Sequence, residues 1–313
     1  MRRSMTPDNN SAPSPDDAHA PDGNASNVAP ILFVLIAALL WSTGGLFIKA
    51  TSLSAYELSF GRSLMGAATV AYFTRREGFR LNIVAGVGAM LYAALLLLFV
   101  IATKLTTAAN AIFLQYTAPV YILVFEPLLY KEKFRARDLG VIAVCVVGMS
   151  LFFFGKLDAK QFSGNFTALA SGLCFAFFAL LLRHPHASRV NRASSVIYGN
   201  LLLAIVCAPF FLTGIGANLS AQDAAIMLYL GVVQIGVSYT LFTLGIARGV
   251  RSLDAGIAGY IEPVLNPVWV FIFIGERPSR WAILGGAIIV AAVIFHTVRG
   301  KKERTRGVDL PLS

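Results

Sequence analysis

Two ionisable side chains, Glu262 and Arg62, lie well inside long apolar stretches of this sequence. A charged side chain at the centre of a membrane helix costs about 2.5 kcal/mol or more on insertion scales, so such a residue usually faces a cavity or a partner. Glu262 has the chemistry to bind an amine or to carry a proton, although a structural, hydrogen-bonded glutamate beside Pro263 fits the same pattern. Arg62 has the chemistry to pair with a carboxylate. An ion pair with Glu57 on the same helix, or snorkelling toward water, is the alternative.

Glu262 belongs to the second of two similar segments that lie 144 residues apart. Pro119 and Pro263 occupy equivalent positions, and each is followed 13 residues later by a glutamate, Glu132 or Glu276. A proline removes a backbone donor and leaves a carbonyl group unpaired one turn earlier, so each predicts either a hinge that offers carbonyl groups to a cavity or a static kink. The two glutamates precede the next helix and predict structural caps or gate residues, with substrate contact as the alternative. A duplicated, interrupted membrane segment points to a central binding site between two halves.

Several aromatic and amide side chains lie at mid-span depth rather than at the membrane surfaces, where Trp and Tyr usually concentrate. Aromatic rings with polar tips at the centre predict an amphipathic cavity wall that stacks on apolar or aromatic ligands, with helix–helix packing as the alternative. The amides are expected either to line the same cavity or to bond between helices. The residues concerned are Trp41, Tyr92, Asn110, Gln115, Tyr116, Gln234, Tyr239 and Tyr260.

The elements that must position these residues are apolar helices. Hydrophobic residues make up 57% of the chain and charged residues only 13%, whereas soluble domains average about 25% charged residues. A helix needs about 20 apolar residues to cross the ~30 Å hydrocarbon core, and the segment at 139–155 is short for a span. The runs do not alternate apolar and polar residues as barrel strands do, and backbone groups in lipid must pair within their own segment. Ten apolar segments lie at roughly 31–48, 56–74, 83–103, 106–126, 139–155, 163–182, 193–213, 223–246, 254–275 and 281–298.

The expected fold is an all-α integral membrane protein with ten transmembrane helices arranged as two inverted five-helix repeats. Five helices is an odd number, so the second repeat enters the membrane from the opposite side. With ten alternating spans, 19 Lys and Arg residues fall on the side of the termini and six on the other, while Arg62 lies within a span. This bias places both termini in the cytoplasm. The expected units are a disordered cytoplasmic tail, two repeats and a basic cytoplasmic tail, at residues 1–29, 30–158, 160–298 and 299–313.

Together, these motifs resemble a known family. The first repeat, with its threonine-rich start, Tyr-Thr-Ala-Pro and following glutamate, is similar to that of the ten-helix EamA-like branch of the drug/metabolite transporter superfamily. Glu-Pro-Val and Gly-Glu-Arg-Pro in the second repeat, Trp-Ser in the first helix and Arg62 also match. The resemblance spans residues 31–298 and implies export or exchange of small metabolites by alternating access, in the inner or plasma membrane. The repeats differ where Ala118-Pro119 stands opposite Glu262-Pro263. The motifs are Thr106–Ala111, Tyr116–Pro119, Glu132, Glu262–Val264, Gly275–Pro278 and Trp41-Ser42.

The expected partners are a small-molecule substrate, with an amino acid or related amine first, the lipid bilayer and protons. The net charge of +10 comes from short basic clusters between apolar runs, which suits loops beside anionic lipid rather than nucleic acid. No phosphate-binding loop, metal pattern or disulfide framework is present, so neither a cofactor, a metal nor an enzymatic activity is expected. The alternative is an integral-membrane transferase acting on lipid-linked substrates, which would gather several acidic or histidine residues at one membrane face. A channel would need a continuous polar stripe.

Overall fold

The computed structural model describes residues 29–106, 108–131, 135–152, 154, 161–214, 219–274 and 279–308. Within these ranges the chain is helical and contains no strand. Glu132, Glu276 and nearly all of the predicted N-terminal tail lie outside the described residues.

The regular elements are α-helices joined by short connections. The described part of the first half forms α1 (Pro30–Trp41), α2 (Gly44–Ala50), α3 (Ala55–Thr74), α4 (Ile83–Leu105), α5 (Ala108–Gln115), α6 (Ala118–Tyr130) and α7 (Ala136–Phe152). The described part of the second half forms α8 (Phe162–Leu182), α9 (Ser194–Gly214), α10 (Ala221–Tyr229), α11 (Ser238–Ala247), α12 (Ser252–Gly259), α13 (Ile261–Ile274) and α14 (Arg280–Val308). A π-helical segment, Leu230–Val237, connects α10 to α11.

Many of these helices are long and apolar enough to cross a bilayer, for which about 20 residues suffice. Among the described residues, six stretches meet this condition, and a shorter apolar helix covers Arg280–His296. The segment expected to be short corresponds to α7, which has 17 residues. The six stretches are Pro30–Ala50, Ile83–Leu105, Asn110–Tyr130, Phe162–Leu182, Ser194–Gly214 and Ala221–Ala247.

Polar caps start several helices at the ends of these apolar stretches. Ser54 and Glu57 form a reciprocal capping box at the start of α3, which satisfies backbone donors that a helix N-terminus leaves free. At the start of α4, the Asn82 side chain accepts a hydrogen bond of 2.8 Å from the backbone N–H of Ala85. Ser220 caps α10 in the same way by accepting from the backbone of Asp223 at 3.0 Å.

Three of the ten apolar segments found in the sequence are interrupted near their middle in the structure. The break between α5 and α6 precedes Pro119, the second residue of α6, where a missing backbone N–H is tolerated. The break between α12 and α13 falls at Tyr260, three residues before Pro263. The break between α1 and α2 lies at Ser42, whose hydroxyl accepts a hydrogen bond of 2.7 Å from the indole N–H of Trp269. Each sequence half therefore supplies a broken helix near its proline.

The two halves of the chain pack mainly on each other. The most extensive contacts join α4 to α8 and α9, α3 to α9 and the π-helical segment, α7 to α14, and α1 to α11. The pattern is reciprocal. Helix α4 packs on α8 and α9, the first two helices of the second half. In the same way, the continuous helix made of α10, the π-helical segment and α11, which we call the α10–α11 rod, packs on α1 and α3 of the first half. The interior between the halves is where the central residues meet.

A close approach of α4 and α9 depends on Gly199. A Cβ atom there would lie 2.6 Å from the carbonyl oxygen of Ala89 and 2.7 Å from a ring carbon of Tyr92. We expect Gly199→Ala to force the helices apart and to lower stability by about 1–3 kcal/mol, the usual cost of overpacking. Thermal unfolding of the detergent-solubilised protein measures this. Gly140→Ala is the matched control, because a Cβ atom there meets nothing within 4 Å; equal unfolding temperatures for both variants would contradict the packing described.

Candidate central cavity

A cavity lies between the two halves of the chain and encloses about 570 Å³ of space, its mouth included. Of the residues that the sequence analysis connects with a central site, the cavity brings together eight, including the predicted hinge residue Pro119. Its lining consists of Trp41, Arg62, Leu95, Leu96, Phe99, Gln115, Tyr116, Pro119, Phe175, Gln234, Tyr239, Gly256 and Glu262. Apolar and aromatic side chains dominate, with a few polar groups directed at one space, as in small-molecule sites.

Glu262 sits in the first turn of α13 and is 8% exposed. Its carboxylate accepts a hydrogen bond of 2.5 Å from the hydroxyl of Tyr116, which lies at the break between α5 and α6. Tyr260 donates in turn to the backbone carbonyl oxygen of Tyr116 at 3.1 Å, a group that an interrupted helix leaves without its usual partner. Tyr116 and Tyr260 are equivalent residues of the two duplicated segments, so the two helix breaks meet each other at the cavity.

The prolines of the duplicated segments take different places. Pro119 lines the cavity and faces Gly256, where an added Cβ atom would lie 3.3 Å from the proline ring. Pro263 is buried in the first turn of α13, beside Glu262 but not in the cavity lining. The two repeats differ at the residue before the proline, which is Ala118 in the first and Glu262 in the second. At this position, therefore, only the second repeat contributes a carboxylate to the cavity.

Arg62 is the cationic residue of the cavity and is only 1% exposed. One of its terminal nitrogens donates to the carbonyl oxygen of Leu96 at 3.3 Å. Its Nε has no hydrogen-bond partner among the described residues. Glu57, the alternative partner considered from the sequence, accepts instead from the backbone N–H of Ser54 at 2.8 Å. The guanidinium group therefore keeps unused donors beside the cavity.

Aromatic rings form part of the cavity wall. The ring of Trp41 lies 4.7 Å from that of Tyr239 and 6.1 Å from that of Phe175, measured between centroids. The indole Nε1 of Trp41 and the amide Oε1 of Gln234 are buried and have no hydrogen-bond partner in the described part of the chain. A wall of this kind offers ring faces for stacking together with isolated polar atoms.

Other candidate residues lie behind the cavity wall or bond between helices. Tyr92 packs against Tyr239 at 4.7 Å and accepts a hydrogen bond of 3.1 Å from Asn200. Asn110 donates to Asn165 at 2.8 Å and so joins α5 to α8. Gln115 does both, because it lines the cavity and donates to Ser171 at 2.9 Å. Tyr92 and Asn110 therefore contact neighbouring helices and are not part of the cavity lining.

A second polar group, the ion cluster, was not predicted from the sequence. Glu126 and Asp138 are each 1% exposed in it, and Arg251 reaches both, at 3.0 Å and 3.4 Å. Buried carboxylates of this kind are stable only when paired. Glu126 is the last residue of the apolar segment at 106–126, and this position was the one signal in the sequence that could have indicated a buried carboxylate. The cluster connects α6, α7, α8, α12 and α14 and consists of Glu126, Asp138, Arg183, Arg251, Asp254 and His296.

A model of the EamA-like transporter family matches this chain twice, over residues 28–154 and 162–298. The chain belongs to the EamA-like transporter family. The resemblance seen in the sequence is thereby confirmed, and the two matches correspond to the two halves that pack on each other. EamA-like proteins are membrane transporters, which agrees with the apolar helices of this chain.

Relatives of this EamA-like protein include named transporters. The uncharacterized transporter YxxF of Bacillus subtilis strain 168 is 24% identical over 296 residues, which cover 90% of this chain and 94% of the relative. The pseudopaline exporter CntI of Pseudomonas aeruginosa strain UCBPP-PA14 is 24% identical over 278 residues, 84% of this chain and 94% of the exporter. A solved crystal structure aligns with a TM-score of 0.75 at 19% identity, covering 87% of this chain and 98% of its own. The structural likeness shows a shared fold.

Proposed function

We propose that this protein is a secondary exporter of small organic metabolites that works by alternating access, with amino acids or related amines as the first candidates. The observation that carries the proposal is the cavity between the two halves, where the helix breaks meet and where Arg62 and Glu262 face the same space. The relative CntI is named as an exporter, which supports the proposed direction of transport. Protons are the proposed coupling partner, with Glu262 as a residue that can carry one.

Ten membrane crossings follow if the broken helices and the shorter helices are counted as spans. The broken pairs α1–α2, α5–α6 and α12–α13 each cross once, as does the α10–α11 rod. Five crossings per half put the two halves in opposite orientations, as in transporters with inverted repeats. We propose residues 30–158 and 160–298 as these repeats, with both terminal tails on the cytoplasmic side of the inner membrane.

Alternating access requires that the two halves rock around the cavity and that each membrane face is closed in turn. The breaks at Pro119 and Pro263 are the proposed hinges, since they interrupt the helices whose residues meet at the cavity. In the proposed orientation the ion cluster lies at the cytoplasmic end, where it holds α6, α8 and α12 together and closes that end. Glu132 and Glu276 remain predicted caps or gate residues.

Flux through purified protein tests the proposed function. Proteoliposomes without ATP should show saturable movement of at least one labelled small organic solute from a panel of amino acids and amines. The inverted halves and the missing nucleotide-binding motif motivate this expectation. Ion currents of channel size, or no flux above protein-free vesicles for the whole panel, would contradict it.

Cysteine labelling tests the proposed orientation. Ser54 and Ser188 are both exposed and lie in connections that the charge bias assigns to opposite faces. In a variant whose three native cysteines are replaced by alanine, a cysteine at Ser54 should react with an impermeant reagent in intact cells. A cysteine at Ser188 should react only after permeabilisation, because the positive residues beside it stay in the cytoplasm. The reverse pattern would overturn the orientation.

A further inference from the structure

The cavity holds one cationic and one anionic side chain that do not neutralise each other. Within the described part of the chain, the side chain of Arg62 makes one hydrogen bond, to a backbone carbonyl group, and that of Glu262 makes one, to Tyr116. No ion pair joins the two, although both are at least nine-tenths buried and line the same space. Two buried, uncompensated charges of opposite sign are costly, which favours a ligand that supplies both missing partners.

Arg62 and Trp41 supply the donors of this site. The guanidinium group has five N–H donors in a planar fork that matches a carboxylate, and it makes one hydrogen bond to the described part of the chain. Among the same residues, neither its Nε nor the indole Nε1 of Trp41, which is 7% exposed, has a hydrogen-bond partner. Buried donors without acceptors are unfavourable, so a carboxylate in the cavity would satisfy groups that the protein leaves open.

The cavity lining also contains acceptors. Glu262 receives one hydrogen bond, from Tyr116, and an ionised carboxylate has about four lone-pair positions for donors. The unpaired Oε1 of Gln234 is a further acceptor in the lining. An ammonium group has three donors and fits this set. Tyr239 lines the same cavity and lies within electrostatic reach of both Arg62 and Glu262.

We infer that Arg62 determines the specificity of this site by binding the carboxylate of a dipolar ligand whose ammonium group is bound by Glu262. The inference rests on the proposed function, which supplies the existence of a ligand. It adds that the site binds a dipolar ligand more tightly than an amine without a carboxylate or a carboxylate without an amine. The rings of Trp41, Tyr239 and Phe175 hold the apolar part of the same ligand. Arg62 therefore separates amino-acid-like solutes from amines that share their side chain.

Binding of matched solutes to the detergent-solubilised protein tests this inference. Two triplets serve as probes: phenylalanine with 2-phenylethylamine and 3-phenylpropionate, and leucine with isopentylamine and 4-methylpentanoate. The wild type should bind the dipolar member of at least one triplet about tenfold or more tightly than both analogues, because each charged hydrogen-bonded pair is lost in one analogue. Calorimetry or displacement of a labelled amino acid measures it. The absence of such a preference in both triplets, including the absence of any binding, overturns the inference.

Variants of Arg62 separate recognition from structure. Arg62→Gln should reduce the preference for the dipolar solute over its amine to within about twofold while the affinity for the amine stays unchanged, and Arg62→Lys should keep part of the preference. An equal loss of affinity for solute and amine in a folded Arg62→Gln protein would assign Arg62 a structural role and overturn the inference. If Arg62→Gln does not fold, Arg62→Lys carries the test, since an undiminished preference would also contradict it. If the protein binds the dipolar solute preferentially but transports no solute, only the proposed function is contradicted. If it transports a solute but shows no preference for the dipolar one, only this inference is contradicted.

Discussion

Replacing Glu262 by glutamine should lower the rate of transport about tenfold or more, while the amount of folded protein in the membrane stays close to that of the wild type. Glutamine keeps the size of the side chain and still accepts from the Tyr116 hydroxyl, so the junction of α5–α6 with α13 is retained. It removes the negative charge and the ability to carry a proton. A charge-assisted hydrogen bond contributes about 1.5–3 kcal/mol, and each 1.4 kcal/mol corresponds to a factor of ten.

Initial rates in proteoliposomes, normalised to the amount of reconstituted protein, measure this effect. Glu77→Gln is the matched control, because Glu77 is a half-exposed carboxylate that pairs with Arg192 away from the cavity; its rate should stay within about twofold of the wild type. Tyr116→Phe removes only the hydroxyl that bonds to Glu262 and should give an intermediate loss. A wild-type rate in Glu262→Gln would mean that the glutamate is structural and that the substrate binds elsewhere.

Replacing Arg251 by glutamine should destabilise the ion cluster. Arg251 bonds to Glu126 at 3.0 Å and to Asp138 at 3.4 Å, and both carboxylates are buried. Removing one partner of a buried pair costs about 3–5 kcal/mol, because the other charge is left without compensation. The loss should fall at the lower end of this range, since Arg183 still pairs with Glu126 at 2.6 Å. In the proposed orientation, the same change should open the cytoplasmic end.

Thermal unfolding in detergent measures the stability, with Arg189→Gln as the control, since Arg189 is exposed on the connection that follows α8. The double variant Glu126→Gln/Arg251→Gln should recover part of the loss, because it removes a buried charge together with its partner. An unfolding temperature equal to that of the wild type in Arg251→Gln would show that the cluster does not hold the helices together.

The sequence predicts which residues lie near the middle of an apolar stretch, but not the direction that a side chain faces. The duplicated segments predicted that Tyr116, Glu262 and Pro119 lie near the centre, and the cavity contains all three. Tyr92 lies at a similar depth yet sits behind the wall, because helix rotation is set by packing on the partner half. Gln234 reaches the cavity from the π-helical segment, whose irregular turn a pattern of 3.6 residues does not predict.

The ion cluster was missed for a related reason. Arg183 and Arg251 belong to connections whose positive residues the charge count assigns to the side of the termini, and Asp138 stands in the first turn of α7. Their common feature appears only when α6, α7, α8 and α12 meet in space. Pairing between distant segments leaves no local pattern in one sequence, whereas a glutamate at the end of an apolar run, as at Glu126, is a signal that could be searched for.

Counterflow in sealed proteoliposomes tests secondary transport by alternating access most directly. Vesicles are loaded with a high concentration of the unlabelled solute that moves best, and a trace of the same labelled solute is added outside without ATP or an ion gradient. We expect a transient accumulation of label above its equilibrium level, because a site that faces one side at a time exchanges internal for external solute. Glu262→Gln should strongly reduce this overshoot. A monotonic approach to equilibrium in the wild type, at a rate that does not saturate with solute, would contradict this expectation.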